Sequence, residues 1–210
     1  MSNKYFDKSY REILAEACSD APTPGGGSVA AMVACLGNGM VAMVGSLTKG
    51  KEKYADVQAE TVALLDKTQD IMVRLEGLVN EDMAVFNQFM DTLRMPKDND
   101  DEKKARSEAM QKAYIAATEV PLTIAETCLE IIELAAEICA YGNKTAISDV
   151  GVGAYVAEAS LHGALLSVDI NLGGIKDKEY VDRASARKAI LINKAREARE
   201  KAIVIVKERM

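Results

Sequence analysis

The sequence predicts an all-α protein, an antiparallel helical bundle with long helices around a buried Gly/Ala-rich helix. Three observations carry that expectation. Apolar residues recur at three- and four-residue spacing through most of the chain, and no Val/Ile/Thr alternation framed by hairpin turns occurs. The hydrophobic share is 49% but only 5% is aromatic and tryptophan is absent, so apolar volume comes from Ala, Val, Leu, Ile and ten Met, which suit closely packed helices. Pro and Gly clusters interrupt the periodic stretches where helices would end.

The 210 residues are read as one domain, 1–210, large enough to bury a substantial core. A formal net charge of −6 argues against nucleic acid as a partner. Cys18, Cys35, Cys128 and Cys139 show no CxxC spacing and fall on helical faces, so buried, reduced thiols are expected. With no basic-then-apolar leader, the expected location is the cytoplasm.

Taken in order, Lys4 to Ser19 carries the helical stripe Phe6, Tyr10, Ile13, Leu14 and Ala17. Ala21-Pro22-Thr23-Pro24-Gly25-Gly26-Gly27-Ser28 follows, and the chain is organised around it. Two prolines bar a helix, three glycines permit a bare, close-approaching backbone, and Ser28 is suited to cap the next helix. A helix N-terminus there offers free N–H groups to anions and carbonyl oxygens; the simpler reading is an interhelical loop with a good cap. Ser28 to Leu47 is almost uncharged and near the length of a membrane span. Gly37, Asn38 and Gly39 in its middle, and its many alanines, favour instead a central helix buried on all sides, with no membrane as partner.

Gly45-Ser46-Leu47-Thr48-Lys49-Gly50-Lys51-Glu52 departs from a phosphate-binding loop, because Glu52 stands where Ser or Thr must hold magnesium and a helix precedes it. Lys49, Lys51 and Lys53, beside Tyr54, then form either a solvated cationic helix end or a docking point for a carboxylated tail. Glu52 to Met95 reads as one long helix, or two joined near Gly77, ended by Pro96. Lys97 to Asp101 lacks the glycine and terminal glutamate of a calcium loop. Glu102 to Ala140 is helical with Pro121 as a kink or a restart, and Gly142-Asn143 stops it. Ser148 and Asp149 are suited to cap a helix from Val150 to Leu172, Gly173-Gly174 breaks it, and Asp177 to Met210 is a final amphipathic helix.

Few residues have the means for chemistry. Asp82 shares a helical face with Leu78 and Phe86, so its carboxylate is either buried and paired or poised as a general base. Gly142 to Asp149 is a second donor-rich helix start. His162 lies on an apolar stretch with no partner at ligand spacing and is read as a core residue. One His and no Cys pair do not support a zinc site, and no GxSxG elbow occurs.

In these motifs the chain resembles the cyclodeaminase/cyclohydrolase family of folate one-carbon metabolism. The residues that carry the resemblance are Pro22–Ala31 (PTPGGGSVAA), Leu47–Tyr54 (LTKGKEKY), Glu81–Phe86 (EDMAVF), Val120–Leu122 (VPL) and Gly142–Ala154 (GNKTAISDVGVGA), in that order. The resemblance implies an all-helical homodimer that needs no metal and no cofactor beyond the tetrahydrofolate derivative it acts on. It implies Asp82 as the acid/base group, and Pro24, Gly25, Gly26, Gly27, Ser28, Asn143, Ser148 and Asp149 against the folate. Lys49, Lys51 and Tyr54 would meet its glutamate tail. The fused transferase domain of some relatives has no counterpart within these residues, which favours methenyltetrahydrofolate cyclohydrolase over formiminotetrahydrofolate cyclodeaminase. A non-catalytic helical protein binding a small molecule or a partner helix is the rival of another class.

Overall fold

A computed structural model describes residues 5–210, and among them no strand occurs. Six helices follow in chain order: α1 (Tyr10–Ala17), α2 (Gly26–Thr48), α3 (Gln58–Arg94), α4 (Asp100–Ile138), α5 (Ile147–Leu172) and α6 (Lys178–Arg209). Helices α2 to α5 form an up-down-up-down ring, each against the next and α5 closing onto α2, while α6 lies along α4 and α5. Arg187, which pairs with Glu119 and Glu126, and Arg199, which pairs with Glu158, fasten α6 in place.

Local chemistry sets the ends. Ser9 and Glu12 form a reciprocal capping box that starts α1 at Tyr10, so over residues 5–19 the helix is shorter than the expected stripe, whose first residue, Lys4, lies outside the described residues. Short 3₁₀ turns lead into α3 and α5. Asn99 and Asp177 cap α4 and α6. Gly77 does not break α3, which runs unbroken for 37 residues.

Several expectations need correction. Ser28 does not cap α2: Gly25 holds that position, and Ser28 lies fully buried inside the first turn. Ser148 and Asp149 likewise lie within the first turn of α5, preceded by Ala146 as cap. Nor is α2 buried on all sides. It is long and apolar enough to cross a membrane, 56% of its most apolar window is buried, and Leu36 is 63% exposed. The helix that touches most others is α4. His162 and Cys18 are exposed, whereas Cys35, Cys128 and Cys139 are buried free thiols.

Two features of the packing position the site. At the α2–α5 crossing the backbones come close over Gly37 and Gly153. A Cβ added at Gly153 would lie 2.9 Å from both the Gly37 carbonyl oxygen and Val41 Cγ2. Gly153→Ala is therefore expected to cost about 1–3 kcal/mol by overpacking, read as a lower urea midpoint at unchanged slope. The second feature is Pro121, which lies inside α4 without ending it. Having no N–H, it leaves the Ala117 carbonyl without its helical donor. Asn171, at the end of α5, supplies one: its Nδ2 donates to Ala117 O at 2.7 Å.

Candidate active site

The bare turn Pro22–Gly27, the middle of α3, the Pro121 region of α4 and the end of α5 enclose a cavity of about 370 Å³, within the size range of small-molecule sites. Asp82 projects into it from α3 among Val85, Phe86 and Phe89. Opposite stand Tyr114, Pro121 and Asn171. Phe89 and Tyr114 lie with ring centroids 4.9 Å apart, a tilted aromatic pair at the wall. Tyr114 can lie there because Gly174 has no side chain; a Cβ at Gly174 would lie 2.2 Å from the ring.

The Asp82 carboxylate rests on the first turn of α2. Ser28 Oγ donates to Asp82 Oδ2 at 2.6 Å, and the Ser28 backbone N–H also serves it. Gly27 makes the approach possible, for a Cβ there would lie 2.3 Å from Oδ1. Burial pushes the carboxyl above its usual range, and the two Ser28 bonds pull it back only in part. The arrangement is an ionisable carboxylate in a mostly apolar pocket, oriented by a buried hydroxyl. It is suited to take a proton from a bound water or to face a cationic substrate. The N–H groups of Gly26 and Gly27, in the first helical turn, have no carbonyl partner within α2.

Of the residues singled out from sequence, Gly25, Gly26, Gly27 and Asp82 line the cavity, Ser28 is bonded to Asp82, and Pro24 is buried in the turn. Lys49, Lys51, Tyr54, Asn143, Ser148 and Asp149 lie at the opposite end of α2. There Asn143 straps two loops together: its backbone N–H donates to Thr48 Oγ1 at 2.8 Å and its Nδ2 to Leu47 O at 2.9 Å. Its Oδ1 accepts from Thr145 N, so both ends of this amide are occupied within the protein. Tyr54 accepts from Lys144 N at 3.1 Å. Lys53, Tyr54, Lys144, Thr145 and Ser148 border an open cleft.

The cations beside the Asp82 cavity are different ones. One turn back along α4 from Tyr114, Gln111 bonds to Gly174 O and Lys176 N, and a cleft of about 410 Å³ opens there. Lys97, Lys103, Arg106 and Lys176 line it. Sequence reasoning missed this cleft because its cations come from a loop, from α4 and from the α5–α6 turn. It missed Asn171 and Tyr114 for the same reason. The available signal was Pro121 inside a helical pattern.

Comparison with known proteins adds to this geometry. The family model described as formiminotransferase-cyclodeaminase matches residues 9–189. The chain is 39% identical over 164 residues to methenyltetrahydrofolate cyclohydrolase of Methylorubrum extorquens, covering 78% of this chain and 79% of that protein. It is 30% identical to formimidoyltransferase-cyclodeaminase of Mus musculus, over 91% of this chain but only 35% of that longer protein. In fold it is similar to the crystal structure of formiminotetrahydrofolate cyclodeaminase from Thermotoga maritima. The TM-score is 0.88 at 22% identity, over 97% of this chain and 98% of that one.

Proposed function

This chain belongs to the formiminotransferase-cyclodeaminase family, and from that premise we propose that it is a folate one-carbon enzyme, a methenyltetrahydrofolate cyclohydrolase, acting as a cytoplasmic homodimer. The reaction is the addition of water to 5,10-methenyltetrahydrofolate to give 10-formyltetrahydrofolate. The observation that carries the reading is the half-buried Asp82 carboxylate, held by Ser28 beside an aromatic-walled cavity of ligand size. The 39% identity to a cyclohydrolase over most of both chains supports the hydrolytic reaction as the first reading.

The chemistry follows from these groups. The methenyl carbon between N5 and N10 is an amidinium carbon, and ionised Asp82 favours its positive charge in a pocket of low polarity. Asp82 takes a proton from water as the water oxygen bonds to that carbon. The adduct then collapses: the C–N5 bond breaks, N5 takes up a proton, the hydroxyl loses its own, and N10 keeps the formyl group. One proton is released overall. Ser28 orients the carboxylate, the aromatic pair Phe89–Tyr114 flanks the aminobenzoyl ring, and Lys103, Arg106 and Lys176 meet the glutamate carboxylates. The cyclodeaminase reaction is the second reading, favoured by the names of the longer relatives. There N10 attacks the formimino carbon, ammonia leaves after protonation, and one acid/base group again suffices.

Decay of methenyltetrahydrofolate absorbance tests the proposal. A saturable, protein-dependent decay supports it. Decay only at the spontaneous rate, with the chromophore instead formed from 5-formiminotetrahydrofolate, overturns it in favour of the cyclodeaminase. Silence in both assays with no thermal shift by tetrahydrofolate removes the folate reading. The pH dependence gives a further prediction. Because the ionised form is the base and burial raises its pKa, kcat/KM is expected to fall on the acid side with a midpoint above the ordinary aspartate value of about 3.9.

A further inference from the structure

Five side chains with polar atoms border the Asp82 cavity: Thr23, Asp82, Tyr114, Ser167 and Asn171. Two of them are held by hydrogen bonds within the protein, Asp82 by the Ser28 hydroxyl and Asn171 by the Ala117 carbonyl. The first is an acceptor of fixed direction; the second is a donor of fixed direction. Pro121 decides which way the Asn171 amide turns. The carbonyl that the proline leaves without a helical donor can only accept, so the amide gives it the nitrogen. One N–H of Nδ2 is taken up there. The other N–H and Oδ1 have no partner among the described residues. The two held groups also meet the same stretch of bare backbone. Asp82 Oδ1 lies 2.3 Å from a Cβ built at Gly27, and Ser167 Oγ lies 3.8 Å from one built at Gly26. Ser167 and Asn171 are four apart on α5 and share one face of it. An acceptor on α3 and a donor on α5 therefore border one cavity, among apolar neighbours such as Phe86 and Ile170.

The hydrolytic reaction calls for such a pair. A single oxygen is first water, then the hydroxyl of the adduct, then the formyl oxygen, and it loses both of its protons on the way. A donor aimed at that oxygen binds it more tightly as its negative character grows, which favours the transition state over the bound water. We propose that the free N–H of Asn171 donates to this oxygen while Asp82 takes its proton, and that Pro121 serves the reaction by fixing the amide through Ala117. The oxygen bonds to the methenyl carbon, its first proton passes to Asp82, and the C–N5 bond breaks as the hydroxyl loses the second. Asn171 keeps its own protons throughout. The proposal rests on the folate reading and adds a second group to that same site.

Asn171→Ala is expected to lower kcat on the order of 10²-fold, as loss of one such donor does, with KM little changed. It also strips the Ala117 carbonyl of its donor, so the urea midpoint falls. The same change made in a Pro121→Ala chain separates the two roles. There the N–H restored at position 121 serves Ala117 within α4. Removing the amide then no longer lowers the midpoint, while kcat falls as far as before. An amide that merely ties α5 to α4 gives a different result: in that background its removal costs neither stability nor turnover, and this overturns the proposal. Ligand binding gives a reading that needs no proline change. 10-Formyltetrahydrofolate carries the oxygen and tetrahydrofolate does not. Asn171→Ala should weaken binding of the first by up to about tenfold and leave the second unchanged. Equal weakening of both overturns the proposal. So does full turnover by Asn171→Ala, which would leave the oxygen to the N–H groups of Gly26 and Gly27. A wild type that neither turns over methenyltetrahydrofolate nor binds tetrahydrofolate sinks the folate reading, and this proposal with it.

Discussion

Asp82→Asn is expected to lower kcat by about 10²–10⁴-fold, the usual contribution of a positioned general base, while the protein becomes more heat-stable at neutral pH. The two effects have one cause. Burial disfavours the ionised carboxyl, so the folded state holds the Asp82 proton more tightly than the unfolded chain does. The contribution of Asp82 to stability thus falls as pH rises, from the ordinary carboxylate range through the raised folded value. The penalty grows as the folded carboxyl ionises. Asparagine has the same shape, accepts the Ser28 hydroxyl through Oδ1 and carries no charge to desolvate. Thermal melts of both proteins from about pH 4 to 8 should converge at the acid end, the Asn variant melting higher at the neutral end. An Asn variant keeping more than a tenth of wild-type turnover would exclude Asp82 as the base.

Gly27→Ala is expected to cost nearly as much activity without touching an ionisable group. The added Cβ would lie 2.3 Å from Oδ1, 2.8 Å from Cγ and 2.9 Å from Oδ2 of Asp82. It must displace the very carboxylate that Ser28 holds in place. Misplacement by about 1 Å is enough for a loss on the order of 10²-fold, and kcat should fall more than KM rises. The acid limb of the pH profile should move as well, since the carboxylate leaves its buried place. Gly77→Ala is the control. It also lies within a helix, nothing lies within 4 Å of its added Cβ, and it should gain about 0.5–1 kcal/mol of stability with activity unchanged.

The helices were legible because their information is local. Periodicity marked α2 to α6, Pro96 and Gly173-Gly174 marked stops, and Asp82 could be read as a carboxylate on an apolar face. What failed depended on distant residues. Ser28 looks like a cap because a serine before an apolar run normally serves its own helix. Here a carboxylate 54 positions away takes its hydroxyl, and glycine suffices as the cap. Asn143 looks like a ligand donor until the chain ends of α2 and α4 meet and occupy its amide. The division of the expected site follows from one number the motifs do not contain, the length of the helix between them.

The bond from Asn171 to Ala117 has a meaning for the order in which this protein can come apart. A helix that closes all its own hydrogen bonds can fray or melt by itself. By placing Pro121 where it does, α4 has given one of its carbonyls to the far end of α5, so neither segment can open without stripping the other. The wall of the cavity is thereby tied to two helices of the bundle rather than to a loop, and it shares their rigidity.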